Sequence, residues 1–223
     1  MPSLLGNDAL ERSSVVANRT MNRERDLTGS NGYTRELGID IPALISARLA
    51  NGGFRWLDIC CGTGKALRQC SSLFDDERLR ITGIDLVDFY AAPPTNAVRL
   101  VTASVTTWTP EDPGFDLITC VHGLHYLGDK LGVLAKAATW LTPGGQLVAN
   151  LDLNNLRTAD DRPLGRRATT ALRAAGFTVD TRRHRIGFAH GDGPNSLPFT
   201  YLGANSEAGP NYTGQPAVHS HYT

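Results

Sequence analysis

Apolar positions along the chain follow two rhythms. Residues 39–49 place Ile41, Leu44, Ile45 and Leu49 at helical spacing, and Asn51-Gly52-Gly53 stops that helix. Beyond it, short apolar runs alternate with longer helical stretches. The runs at 54–60, 80–86, 97–103, 115–120 and 146–153 read as strands, and 65–74, 127–141 and 163–175 read as helices. This alternation predicts an α/β fold with a parallel sheet covered on both faces. Two further apolar runs, 177–186 and 197–202, have no helix between them. They are expected to pair as an antiparallel hairpin across the Gly/Pro/Asn-rich stretch 187–196.

The ends break the rhythm. Residues 1–37 are polar with alternating charges and carry Gly29-Ser30-Asn31-Gly32; they read as an arm or lid that folds onto something else. Residues 38–203 form the expected ligand-binding domain, and 204–223 an irregular tail. In that tail His219, His221 and Tyr222 either reach the mouth of a site or are disordered.

Composition narrows the function. The 223 residues carry 22 basic and 22 acidic side chains, which argues against nucleic acid as a partner. Eight arginines between 157 and 185 read as a solvated helix face and strand. No apolar run is long enough to span a bilayer, and no secretory signal is visible, so no membrane partner is expected. Cys60, Cys61, Cys70 and Cys120 form no C-x-x-C pair, which points to a reducing cytoplasm and against zinc. The sequence specifies no oligomeric state.

The most informative segment is Trp56-Leu57-Asp58-Ile59-Cys60-Cys61-Gly62-Thr63-Gly64-Lys65. An apolar strand ends in small residues and a helix follows at once. Gly62 and Gly64 let the backbone turn sharply and approach a ligand. Asp58 is placed to receive donors from a ligand ammonium. About twenty residues on, Ile81-Thr82-Gly83-Ile84-Asp85 ends in a second carboxylate, at the distance where an acid accepts both hydroxyls of a ribose. A dinucleotide site would want a third glycine where Leu67 stands, and Asp58 would repel a pyrophosphate.

These motifs resemble the class I S-adenosylmethionine-dependent methyltransferases. Leu57 to Gly64 looks like their first motif, with Cys60 standing where a glycine is usual; Phe115-Asp116-Leu117-Ile118-Thr119-Cys120 looks like their fourth strand. Leu141-Thr142-Pro143-Gly144-Gly145-Gln146-Leu147 looks like the turn into their fifth. The resemblance covers residues 38–203. It implies a Rossmann-like, doubly wound sheet of seven strands, mostly parallel with the last antiparallel, and S-adenosyl-L-methionine as cofactor. It also implies cofactor contacts at Asp58, Cys60, Gly62, Gly64, Asp85, Leu86, Ser104, Val105 and Cys120. Ser104 departs from the pattern, since the family often has an acid after the third strand for the adenine amino group. Tyr33 and Arg35 in the arm are candidates to hold the methionine carboxylate.

Methyl transfer is an in-line displacement in which the protein aligns nucleophile and methyl carbon, with a base where the nucleophile arrives protonated. His122, in Val121-His122-Gly123-Leu124-His125-Tyr126, is the first candidate, with Tyr33 and Asn150 as further catalytic candidates. His125 either joins the site or packs under the following helix. Asp152, Asn154 and Asn155 leave the fifth strand at the same edge, and Asn154-Asn155 is also a turn signal. The leading expectation is methyl transfer to a small-molecule acceptor. Two alternatives use the same cofactor: a cyclase or aminopropyl-type enzyme releasing methylthioadenosine, as in azetidine-2-carboxylate formation, and a non-catalytic binding protein.

Overall fold

The computed structural model describes residues 3–17, 24–189 and 197–223. Residues 190–196, most of the Gly/Pro/Asn-rich stretch, and 18–23 of the arm lie outside the described residues. The chain runs α1 (Asn7–Glu11), α2 (Tyr33–Leu37), α3 (Ile41–Leu49), β1 (Phe54–Ile59), α4 (Lys65–Leu73), β2 (Leu79–Asp85), β3 (Val98–Thr102) and β4 (Phe115–Cys120). It continues through α5 (Lys130–Ala138), β5 (Leu141–Asn150), β6 (Leu156–Thr158), α6 (Arg166–Ala174), β7 (Thr178–Asp180), β8 (Arg185–Ala189), β9 (Tyr201–Asn205) and β10 (His219–Tyr222).

Seven strands form the main sheet in the order β3-β2-β1-β4-β5-β8-β7. Strands β3 to β5 pair in parallel, and β8 is antiparallel to both β5 and β7. The order reverses between β1 and β4, which opens a crevice at the carboxyl ends of those strands. Both faces are covered, as alternating side chains require. Phe54 and Trp56 of β1 join the cluster under α3 and α4, while Leu57 and Ile59 join the cluster under α5 and α6. Local chemistry sets several helix starts. Asp40 accepts from the Ala43 amide at 3.0 Å at the head of α3, and Asp129 from the Gly132 amide at 2.9 Å at the head of α5.

Two expectations are corrected. The hairpin lies within 178–189, not between 177–186 and 197–202. Asp180 accepts from the amides of Arg182 and Arg183, and this turn splits the first run into β7 and β8. The second run contributes instead to β9, which joins a separate sheet of order β6-β10-β9. The tail is not irregular throughout, because β10 pairs with both β6 and β9, and His219, His221 and Tyr222 are all buried. Four polar, ring-bearing or hydroxyl residues give no apolar alternation from which a strand could be read.

A fully buried lysine holds this tail. Lys130 Nζ donates to Leu127 O, Val218 O and Ser220 Oγ, each at 2.8 Å. Burial lowers its pKa to about 7, against the opposing charges of Asp152 and Asp129. The arm is fastened from the other side. Tyr33 Oη of α2 donates to Asp58 Oδ2 at 2.6 Å, and Thr119 Oγ1 of β4 donates to Asp58 Oδ1 at 2.5 Å. Trp56 Nε1 in turn donates to Thr119 Oγ1 at 2.8 Å. Asp58 is fully buried. Burial raises its pKa from 3.8 to about 7, although the bonds from Thr119 and Tyr33 pull it down.

Removing the Lys130 ammonium strands three buried acceptors. Lys130→Ala should therefore lose about 2–4 kcal/mol of stability in urea denaturation. Asp58 has a folded pKa above its unfolded value, so its contribution is fully present below pH 3.8 and is lost as pH rises through about 7. Asp58→Asn should accordingly gain in Tm relative to the parent on going from pH 5 to pH 8. A Tm difference that stays constant across that range in calorimetry would show that the carboxyl ionises without cost.

Candidate functional site

Two adjoining cavities open at the carboxyl ends of β1, β2 and β4, and both are lined by Cys60, Asp85 and Tyr126. The first spans about 520 Å3, open solvent at its mouth included. Its walls are apolar, from Val16, Ile84, Leu86, Val105 and Leu127, and Glu11, Asp85 and Ser104 line it as well. The second spans about 530 Å3 measured the same way, and is lined by Arg25, Tyr33, Gly62, Val121, His122 and Gln215 among others.

Asp85 sits where the two meet. Its carboxylate accepts from the Gly62 amide at 2.9 Å and from the Val87 amide at 3.2 Å, so it shapes the β1–α4 turn. A carboxylate offers about four acceptor positions, enough to hold a turn and meet ligand hydroxyls as well. Glycine is needed in the turn at Gly64, where φ is +70° and an added Cβ would press within 3.3 Å of Leu100. Cys60 adopts φ +59° without being glycine, a conformation that costs a side chain about 1 kcal/mol. It lies against Gly123, where an added Cβ would fall 2.3 Å from Cys60 Cβ.

An adenosyl sulfonium ligand asks for an apolar slot, a carboxylate at the ribose and polar groups at an amino-acid end. The first cavity, Asp85, and the Arg25–Gly62 end of the second supply these in order, so the residues present fit S-adenosylmethionine.

The individual expectations fare unequally. Leu86, Ser104 and Val105 line the first cavity, and Gly62 and Tyr33 the second. Asp58 lines neither cavity, and its two oxygens accept from Tyr33 and Thr119. Gly64 shapes the turn from behind, and Cys120 is buried beneath Gly123. Arg35 donates to Ser30 O on the surface; among the described residues of the arm, the arginine that lines a cavity is Arg25. His125 packs inside, fully buried, and burial lowers its pKa to about 3. Asp152 caps the turn at Asn154 and accepts the Tyr212 amide at 3.2 Å.

His122 lies at the head of the loop after β4 with φ +59°, a strained position of the kind found at functional sites. Its Nε2 is 3.1 Å from Glu36 Oε2 of α2, and its Nδ1 is 3.4 Å from Tyr212 Oη of the tail. With Nε2–H donating to Glu36, Nδ1 carries the lone pair. Asn150 does not face the cavities. It holds this arrangement, since its Oδ1 accepts the His122 amide at 3.3 Å and its Nδ2 donates to Glu36 O at 3.4 Å. Arg185 Nε donates to the same carbonyl at 2.6 Å. Burial, then the charge of Arg25, keeps His122 below its ordinary pKa of 6.5 against the pull of Glu36.

Several groups at the site carried no readable signal. Glu11 accepts from Ser104 Oγ and Thr106 Oγ1, placing a carboxylate beside the serine that departs from the family pattern. Glu11, Arg25, Glu36, Tyr212 and Gln215 come from the two ends of the chain, and no local spacing links them to the turn at 60–64.

Comparison with known proteins identifies the family. The methyltransferase-domain family matches residues 30–185, more than half of the chain. The chain is 31% identical over 111 residues to the ubiquinone biosynthesis O-methyltransferase of Xanthomonas campestris pv. campestris (strain B100), covering 46% of this chain and 45% of that protein. It thus spans about half the length of the curated relatives it matches. Among solved structures it is similar to CalS10, an amino pentose methyltransferase from Micromonospora echinaspora, at 25% identity, TM-score 0.42, and coverage of 54% and 51% of the two chains. It is also similar to phosphoethanolamine N-methyltransferase 2 of Haemonchus contortus, at 19% identity, TM-score 0.43, and coverage of 66% and 36%. With the family match spanning the turn, Asp85 and the His122 loop, the chain belongs to the methyltransferase-domain family, whose class I members use S-adenosylmethionine.

Proposed function

We propose that this protein transfers the methyl group of S-adenosylmethionine to a hydroxyl of a small molecule. The observation that carries the reading is His122, which lines the second cavity and is backed by Glu36. A hydroxyl is a weak nucleophile until its proton leaves, and a neutral imidazole with a carboxylate behind it is suited to take that proton. The curated relative's name, an O-methyltransferase, is in keeping with this.

The cofactor supplies an electrophilic methyl carbon on a sulfonium. The remaining work falls to this chain. Asp85 would hold the ribose hydroxyls and Arg25 the carboxylate of the amino-acid end. Glu36 keeps His122 in one tautomer and stabilises the imidazolium formed when Nδ1 accepts the acceptor's proton. Asn150 and Arg185 are positioning residues that fix Glu36 through its backbone carbonyl. Among the described residues no helix is long and apolar enough to cross a membrane. The four cysteines are free thiols, which supports a reducing compartment such as the cytoplasm.

Incubation of the full chain with S-adenosylmethionine and a panel of alcohols, phenols and amines tests the reading by mass analysis of the nucleoside product. S-adenosylhomocysteine formed on adding a hydroxyl compound is the expected result. Methylthioadenosine formed without any acceptor would overturn it. Asp85→Ala should weaken S-adenosylhomocysteine binding by about 1–3 kcal/mol in calorimetry, because ribose hydroxyls lose their partner. The His122 imidazole should titrate below pH 6.5 by nitrogen-15 NMR, so its basic form prevails at neutral pH. Glu36→Gln removes the charge that raises it, and the midpoint should move lower still; a midpoint that rises would place Glu36 outside this pair.

A further inference from the structure

The ring of Tyr212 sits in a box of three imidazoles. It stacks flat on His184, with centroids 3.8 Å apart and planes 5° from parallel. His125 meets the same ring edge-on at 5.4 Å, and His122 lies at 6.0 Å with its Nδ1 3.4 Å from the phenol oxygen. His184 holds its place at φ +51° in the turn between β7 and β8. The phenol therefore occupies the lone pair that a base would offer to an acceptor, and it does so as an aromatic hydroxyl.

This occupant is built to leave. Tyr212 is 37% exposed despite its contacts. It stands on a loop closed mainly on itself. The Asn211 amide donates to Gln215 O at 2.8 Å and the Ala217 amide to Gly209 O at 3.1 Å, with Gly209 and Gly214 at positive φ. Such a loop can lift between Asn211 and Gln215, giving up its bonds to Asp152, His122 and Tyr126, while Val218 stays bonded to His125 O just before β10.

We propose that the acceptor is a planar aryl alcohol whose ring takes the place of Tyr212 on His184, with its hydroxyl at His122 Nδ1. The inference rests on the methyl-transfer reading and names its substrate class. In the reaction the acceptor oxygen bonds to the methyl carbon as the carbon–sulfur bond breaks, and the electron pair of that bond neutralises the sulfonium. The phenol proton passes to His122 Nδ1, and Glu36 balances the new charge. An aliphatic alcohol would reach the base but gain nothing from the flat face of His184. Tyr212 acts as an internal competitor, which lowers apparent affinity by the fraction of time it occupies the box.

Calorimetry with catechol and with trans-cyclohexane-1,2-diol, each in the presence of saturating S-adenosylhomocysteine, tests this. Tyr212→Ala should bind catechol about threefold or more tighter than the parent, and catechol should be preferred over the saturated diol. Adding His184→Ala should abolish that preference. Tyr212→Phe keeps the ring in the box and should stay closer to the parent. Unchanged S-adenosylhomocysteine affinity in each variant shows that the fold is intact. Equal binding of the two diols, or weaker catechol binding by Tyr212→Ala, would overturn the proposal. Should S-adenosylhomocysteine itself fail to bind the parent, the methyl-transfer reading falls and not this inference alone.

Discussion

A carboxylate shut away from water must find donors, and at the tip of β1 Asp58 finds Tyr33 and Thr119. Much of the site depends on that requirement. The Tyr33 bond ties α2 to the sheet, and α2 carries Glu36 three residues further on. Arg185 and Asn150 then bind the carbonyl at the end of α2, so both ends of a helix of five residues are fixed. The result is a carboxylate held beside His122, on a segment with too few residues to be a stable helix by itself.

The opposite wall is made by the other end of the chain. Lys130, buried and bonded to Val218 and Ser220, secures β10 against α5. The loop ahead of β10 brings Tyr212 and Gln215 to His122 and Tyr126. Leu5 pairs with Ala204 of β9, and Leu10 and Val16 pack with Val218, so α1 is carried onto the same side and Glu11 reaches Ser104. Each terminal segment is thus anchored by groups with no access to water, while the side chains it presents to the cavities keep some. Rigid attachment with a partly open face is the arrangement a binding site needs.

Two residues bear backbone strain here, Cys60 and His122, both at φ +59° and both at the carboxyl edge of the sheet. They follow neighbouring strands β1 and β4, at the point where the strand order reverses. Cys60 fills a position that favours glycine, and it is accommodated because Gly123 leaves room opposite. A small residue on one strand end therefore permits a larger one on the other, and the loop that carries Gly123 brings His122 to the second cavity.

The sequence by itself determined the order of strands and helices from α3 to β5, the β1–α4 turn and the placing of Asp85 at the end of β2. These follow from contacts within about thirty residues, where apolar period and glycine placement carry the information. It also singled out His122, because the loop after a fourth parallel strand must emerge at the crevice. It did not show that Tyr33 and Thr119 would meet Asp58, since a sequence shows that an acid is present but not which distant groups reach it. It assigned the arm's arginine to Arg35, although Arg25 faces the cavity, for the same reason. The tail gave no strand pattern because β10 consists of His219, Ser220, His221 and Tyr222, whose burial depends on Lys130, Asp129, Arg157 and Asp161 elsewhere in the chain. Glu11, Glu36 and Tyr212 meet the sheet across separations of about ninety residues. Only the packing of the ends against the sheet decided those meetings, because the hydrogen bonds that fix them have no signature in local spacing.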